Sequence, residues 1–141
     1  MRRNASAVWK GGFKDGKGAI STDSGALSNT PYSYKARFED ETGTNPEELI
    51  AAAHAGCFTM ALSLQLDQAR LKADSINTTA AVTLEKTEAG FTITAVHLNV
   101  IAKVPGASKD AFETAANSAK AGCPVSKVLN ARITIKAELE E

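Results

Sequence analysis

The sequence has no net charge: sixteen basic residues offset sixteen acidic ones over 141 positions. No overall field draws the chain to nucleic acid or to an anionic membrane, so neither is expected as a partner. Cysteine and histidine are scarce, at two residues each. Cys57 and Cys123 stand 66 positions apart, which excludes a thioredoxin-type C-x-x-C pair. With only His54 and His97 beside them they are too few for a conventional zinc site, and neither a metal nor a bound cofactor is expected. Uninterrupted apolar runs are missing as well. The opening Met1-Arg2-Arg3-Asn4 leads to Trp9-Lys10-Gly11-Gly12 and not to the apolar stretch of a secretory signal. The most apolar segment, Leu49 to Leu66, is broken by His54, Thr59, Ser63 and Gln65 and reads as a buried helix, not a membrane span. A cytoplasmic location follows as the expectation, with both thiols reduced at rest unless their oxidation is part of a reaction cycle. The glycines form no dinucleotide or P-loop pattern, and there is no G-x-S-x-G elbow and no metalloprotease histidine pair.

What remains is enough for one core. With 43% of residues hydrophobic, a chain of this length folds without disulfide or metal staples, and a single domain over 1–141 is expected. The first third reads as an antiparallel meander: strands over Ala5 to Lys10, Ala19 to Thr22 and Tyr32 to Glu39, separated by glycine-rich turns. On the third strand Tyr32, Tyr34, Ala36 and Phe38 share one face, which turns Arg37 away from the core. Asn45-Pro46-Glu47-Glu48 carries helix-start chemistry, with Asn45 as cap, Pro46 at the first helical position and Glu48 placed to close a capping box. That helix is expected to reach about Arg70, burying a face of Ile50, Ala53, Cys57, Met60, Ala61 and Leu64. Two long strands follow. The first alternates Ile76, Thr78, Ala80, Val82 and Leu84, while the second changes apolar parity near Ala95, which predicts a bulge and a curved sheet. Ser108 caps a helix with Ala111, Phe112, Ala115, Ala116 and Ala119 inward and Gly122 at its end. Cys123 caps a further short helix starting at Pro124, and a last strand runs from Arg132 to Leu139.

Each residue with reactive chemistry has a plain structural reading beside it. A thiol among apolar helix neighbours, as at Cys57, is either an inert hydrophobe or a nucleophile awaiting a cation. Cys123, at a helix start, has local N–H groups that favour its thiolate and is the more acidic of the two on local grounds. Arg37 reads as a solvated strand residue, Glu47 as a first-turn carboxylate and His54 as a hydrogen-bonded core histidine.

Taken together, Gly43-Thr44-Asn45-Pro46-Glu47-Glu48-Leu49, Ala52-Ala53-His54-Ala55-Gly56-Cys57-Phe58 and Ala121-Gly122-Cys123-Pro124-Val125-Ser126 resemble the osmotically inducible protein C (OsmC) family, sister to the organic hydroperoxide resistance proteins. The resemblance spans essentially the whole chain. It implies an α+β fold, a strongly curved antiparallel sheet of about six strands on a long buried central helix with shorter helices, assembled as an intertwined homodimer. It also implies a thiol peroxidase that reduces organic hydroperoxides in oxidative and osmotic stress defence. Cys57 would be the peroxidatic thiol, Cys123 the resolving one, Arg37 the thiolate-activating cation and Glu47 its orienting partner. An external thiol, such as a dihydrolipoyl dithiol, would reduce the enzyme. The hydroperoxide resistance branch carries its activating Arg in the early glycine turn, where this chain has Lys14-Asp15-Gly16; the OsmC branch carries it before the Asn-Pro motif, which matches Arg37. Glu47 and Cys57, ten residues apart, cannot meet along one straight helix, since the rise is about 15 Å. That separation predicts active sites built from both subunits of a dimer. Phe58, Met60 and Leu64 beside Cys57 suggest alkyl or aryl hydroperoxides over hydrogen peroxide. A non-enzymatic redox sensor or carrier of a small hydrophobic ligand, and a structural stress protein with inert thiols, are the alternatives.

Overall fold

Local chemistry accounts for most element boundaries in the computed structural model, which describes residues 1–141 and divides into two units, Met1–Leu49 and Ile50–Glu141. In the first unit β1 (Ala5–Lys10), β2 (Lys17–Thr22) and β3 (Thr30–Tyr32) form the expected antiparallel meander in the order β1-β2-β3. Gly18 is needed there because a Cβ would lie 2.4 Å from the Tyr32 ring and 2.7 Å from that of Trp9. The third strand is shorter than its alternation predicts. After Tyr32 the chain turns into a helix, α1 (Tyr34–Phe38), because Ser33 accepts a hydrogen bond from the Ala36 N–H at 3.1 Å and so caps a helical turn. A short alternating run is ambiguous between strand and helix, and here the cap decides. Arg37 is therefore a helix residue and not a strand residue, though it is exposed and turned from the core as expected.

The long helix α2 (Pro46–Gln68) begins as predicted: the Asn45 side chain accepts from the Glu48 N–H at 2.8 Å. The capping box does not close, since the Glu48 carboxylate instead accepts from the Thr44 hydroxyl at 3.0 Å.

In the second unit the buried face of α2 is displaced by about one position from the expectation. His54, Phe58, Leu62 and Leu66, spaced four apart, are fully buried or nearly so, whereas Met60 and Leu64 are 77% and 54% exposed. The helix is apolar almost all round, so its composition does not define a single stripe; the surface it packs on selects the face. By length and composition α2 could cross a membrane, but Phe58, Leu62 and Leu66 belong to the buried core cluster.

That cluster is completed by β5 (Gly90–Lys103) and α3 (Lys109–Gly122). Strand β5 supplies Val96, Leu98, Val100 and Ala102; α3 supplies Phe112, Ala115, Ala116 and Ala119. Strand β4 (Ser75–Thr87) pairs antiparallel with β5, and the register slips between Thr83 and Leu84, opposite Thr94, where the parity change predicts a bulge. The Ser108 cap on α3 forms where the sequence puts it, and Cys123 stands at the start of α4 (Pro124–Val128) as expected, although its side chain makes no capping hydrogen bond.

The last strand, β6 (Arg132–Glu140), runs parallel to β5. Its connection, through α3 and α4, is long enough for a parallel crossover, which a hairpin is not. The α+β class and the six strands hold; the strands form two sheets of three, ordered β1-β2-β3 and β4-β5-β6, the second of them mixed.

Leu62→Ala is expected to lower unfolding free energy by about 2–5 kcal/mol through the cavity it leaves. Ser108→Ala should cost about 1 kcal/mol, the worth of one cap. Urea unfolding at one fixed protein concentration separates the two, and equal losses would contradict this core assignment.

Candidate active site

Cys57 lies on α2 immediately before the buried Phe58, half-buried against the core. Cys123 is fully buried at the break between α3 and α4, where its N–H still bonds to the Ala119 carbonyl at 2.9 Å. Pro124 forces the preceding residue out of helical geometry, and the ψ of 125° at Cys123 turns the chain there. The two sulfur atoms are 2.9 Å apart and both are free thiols.

One ionised sulfur can be held by the S–H of the other. Burial raises the pKa of Cys57 above its ordinary value of 9.0, and the neighbouring Cys123 raises it further, against the Val125 N–H. At Cys123 burial also acts upward, but the Cys57 S–H, the N–H and hydroxyl of Ser126 and the Val125 N–H outweigh it, and the pKa falls below 9.0. Within this unit Cys123 is the more acidic thiol, as its position at a helix start predicts.

The second pair lies in the first unit. Arg37 grips Glu47 in a fork, with Nη2 donating to Oε1 at 2.8 Å and Nε to the two carboxylate oxygens at 3.1 and 3.3 Å. The Arg37 side chain is 36% exposed and that of Glu47 11% exposed. Its remaining nitrogen, Nη1, makes no hydrogen bond. The four residues singled out from the sequence thus form two contacts, Arg37 with Glu47 and Cys57 with Cys123, one in each unit.

The OsmC-like protein family model matches residues 39–138. Peroxiredoxin OsmC of Escherichia coli (strain K12) is 51% identical over 140 residues, covering 99% of this chain and 98% of that protein. The chain belongs to the OsmC family. Organic hydroperoxide resistance protein OhrB of Bacillus subtilis (strain 168) is 29% identical over 124 residues, covering 87% of this chain and 89% of that protein. A solved structure of an OsmC-like protein from Vibrio cholerae has the same fold, with a TM-score of 0.78 at 20% identity, over 97% of this chain and 99% of that one.

Two features of this OsmC-family chain escape sequence reasoning. The first is an aromatic cleft of about 300 Å³ in the first unit, lined by Trp9, Phe13, Tyr32, Tyr34 and Phe38 with Arg37 in its wall. Tyr34 stacks against both Phe13 and Phe38, with ring centroids 5.1 and 5.0 Å apart. Most of the chain's aromatic residues fall in two short segments of this unit, and that clustering is the signal that marks the cleft. Phe58, expected beside the substrate, is instead in the core.

The second is a bond between His54 Nε2 and the Ser126 hydroxyl at 2.7 Å. His54 is fully buried, its Nδ1 has no partner, and burial pulls its pKa below the ordinary 6.5. A base with a depressed folded pKa leaves the unfolded chain with more bound protons below pH 6.5. Stability contributed at neutral pH is then lost as pH falls from about 6.5 through the folded value. Urea midpoints measured across that range should decline for the wild type and flatten for His54→Gln; parallel curves would show that His54 is not the group responsible.

Proposed function

We propose that this chain is a cysteine-based peroxidase that reduces organic hydroperoxides to alcohols, a function of oxidative and osmotic stress defence, acting as one OsmC-like domain over residues 1–141. The observation that carries the reading is the contact of Cys57 and Cys123 at 2.9 Å, between thiols 66 positions apart in a family whose named members are peroxiredoxins and hydroperoxide resistance proteins. The Cys57 thiolate attacks the distal oxygen of ROOH. An S–O bond forms, the O–O bond breaks, and the departing alkoxide takes a proton to become ROH. Cys123 then displaces the hydroxyl of the Cys57 sulfenic acid, giving a disulfide and water. An external thiol, of which a dihydrolipoyl dithiol is the form proposed, reopens the disulfide by two exchanges and is itself oxidised.

Burial opposes ionisation of Cys57, so the peroxidatic role requires a cation beside it. Arg37, oriented by its fork with Glu47, has that role: it favours the thiolate and meets negative charge on the leaving oxygen with its uncommitted Nη1. A homodimer whose active sites take residues from both subunits completes the set of four. Its support is the exposed apolar surface, Met60 and Leu64 on α2 and Val8 and Phe13 in the first unit. The aromatic cleft beside Arg37 suits the alkyl or aryl group of the substrate over hydrogen peroxide. The reducing cytoplasm is the compartment proposed, since the cycle has to be reset by thiol.

In an assay with organic hydroperoxide and excess dithiol, the wild type should turn over continuously. Cys57→Ser should lose all activity; Cys123→Ser should lose recycling and accumulate over-oxidised Cys57 by mass spectrometry. Arg37→Ala should lower kcat/KM about a hundredfold, the usual scale for removing one charge-stabilising donor. A wild type that oxidises once and stops is a redox sensor, and one unaffected by loss of both cysteines is a structural protein. Light scattering should return twice the chain mass, and a fully active monomer would rule out the shared site.

A further inference from the structure

We propose that the external thiol that resets this protein attacks the Cys57 sulfur of the oxidised pair and expels Cys123, so that reductant and hydroperoxide approach the same atom from the same side. The inference rests on the peroxidase reading for the origin of the disulfide, but its geometry lies wholly within the second unit.

Thiol–disulfide exchange passes through a mixed disulfide, and access decides which sulfur is attacked. The incoming sulfur must also enter opposite the bond that breaks. The two cysteines differ in both respects. Cys123 is 0% exposed and belongs to the core cluster, whereas Cys57 is partly exposed. Cys57 stands at the boundary between two faces of α2. His54 and Phe58 beside it are fully buried, while Ala53 one turn back, Gly56 just before it and Met60 one turn on are exposed. A Cβ built on Gly56 meets nothing within 4 Å, so the subunit leaves that side of Cys57 open. Cys123 holds the buried side, with its sulfur 2.9 Å away.

One line through the Cys57 sulfur then serves every step. Hydroperoxide arrives from the open side and leaves its oxygen there. Cys123 displaces that oxygen from behind, and the sulfur atoms close from 2.9 Å to the bonding distance of about 2.05 Å. The thiolate RS⁻ enters where the oxygen departed. A bond forms between RS and Cys57, the Cys57–Cys123 bond breaks, and Cys123 leaves with the electron pair and takes a proton from solvent. The second thiol of a dithiol attacks the RS sulfur and expels Cys57 as thiolate. The dithiol has then lost two electrons, and both protein thiols are restored. Attack at Cys123 instead would require part of the core to open.

Two measurements test this. Diamide forms the disulfide in the wild type without hydroperoxide; excess glutathione is added, acid quenches the mixture at short times, and free thiols are alkylated with N-ethylmaleimide in denaturant before peptide mapping. Early quenches should carry glutathione on Cys57 and maleimide on Cys123, with the reverse pair absent. In native reduced protein, the single thiol of Cys57→Ser should react with an aromatic disulfide reagent about a hundredfold more slowly than that of Cys123→Ser, and should accelerate with urea, as a thiol reached only through opening does. As much glutathione on Cys123 as on Cys57 at the earliest quench, or equal reactivity of the two single thiols, overturns the proposal whatever the wild type does with hydroperoxide. If glutathione goes to Cys57 while the wild type consumes no hydroperoxide with dithiol, the assignment of the attacked sulfur stands and the peroxidase reading falls.

Discussion

A pair of sulfur atoms 2.9 Å apart at the edge of an apolar core constrains the chemistry of this chain. Burial opposes charge on both, and the S–H of one is the donor that most favours ionising the other. The pair therefore holds one negative charge far more readily than two. Backbone and side-chain groups nearby bear on where that charge sits: the Val125 and Ser126 N–H groups and the Ser126 hydroxyl. Pro124 matters because it breaks α3 from α4 and leaves Cys123 at the turn between them, opposite Cys57.

The two units divide the necessary chemistry. The second holds the thiols and nearly all of the buried hydrophobic residues; the first holds the Arg37–Glu47 fork and the aromatic cleft, with Ala36 as its one buried apolar side chain. A three-stranded sheet whose first strand is exposed along its whole length is poorly supported by its own packing. Val8 and Phe13 in this unit and Met60 in the other are exposed apolar side chains, the surfaces on which the proposed homodimer rests. In the proposed peroxidase, assembly and catalysis would be one requirement, because burial opposes ionisation of Cys57.

Legibility in the sequence followed the range of the interaction responsible. The caps at Asn45 and Ser108 are readable because a cap is settled within four residues. So was the bulge opposite Thr94, because a parity change is a local property of one strand. The segment from Tyr32 to Glu39 alternates like a strand, but after Tyr32 it turns helical, since its alternation and its Ser33 cap point to different structures and the cap is decisive. The buried face of α2 was offset because a helix apolar on all sides does not specify which stripe meets its neighbours. His54 was recognised as a core histidine, but its bond to Ser126, 72 positions away, leaves no trace in the local pattern.

By itself, then, the sequence marked which residues could carry the chemistry. Cys57, Cys123 and Glu47 stand in motifs that mark the OsmC family, whereas Arg37 lies outside them and is reached only through the resemblance. Tertiary structure alone decided how they pair and what surrounds them. The sulfur contact, the guanidinium fork, the aromatic cleft and the parallel β6 all join residues whose separation along the chain no periodicity reports. Those joins follow from the packing of elements against one another, and packing answers to shape and burial over the whole fold.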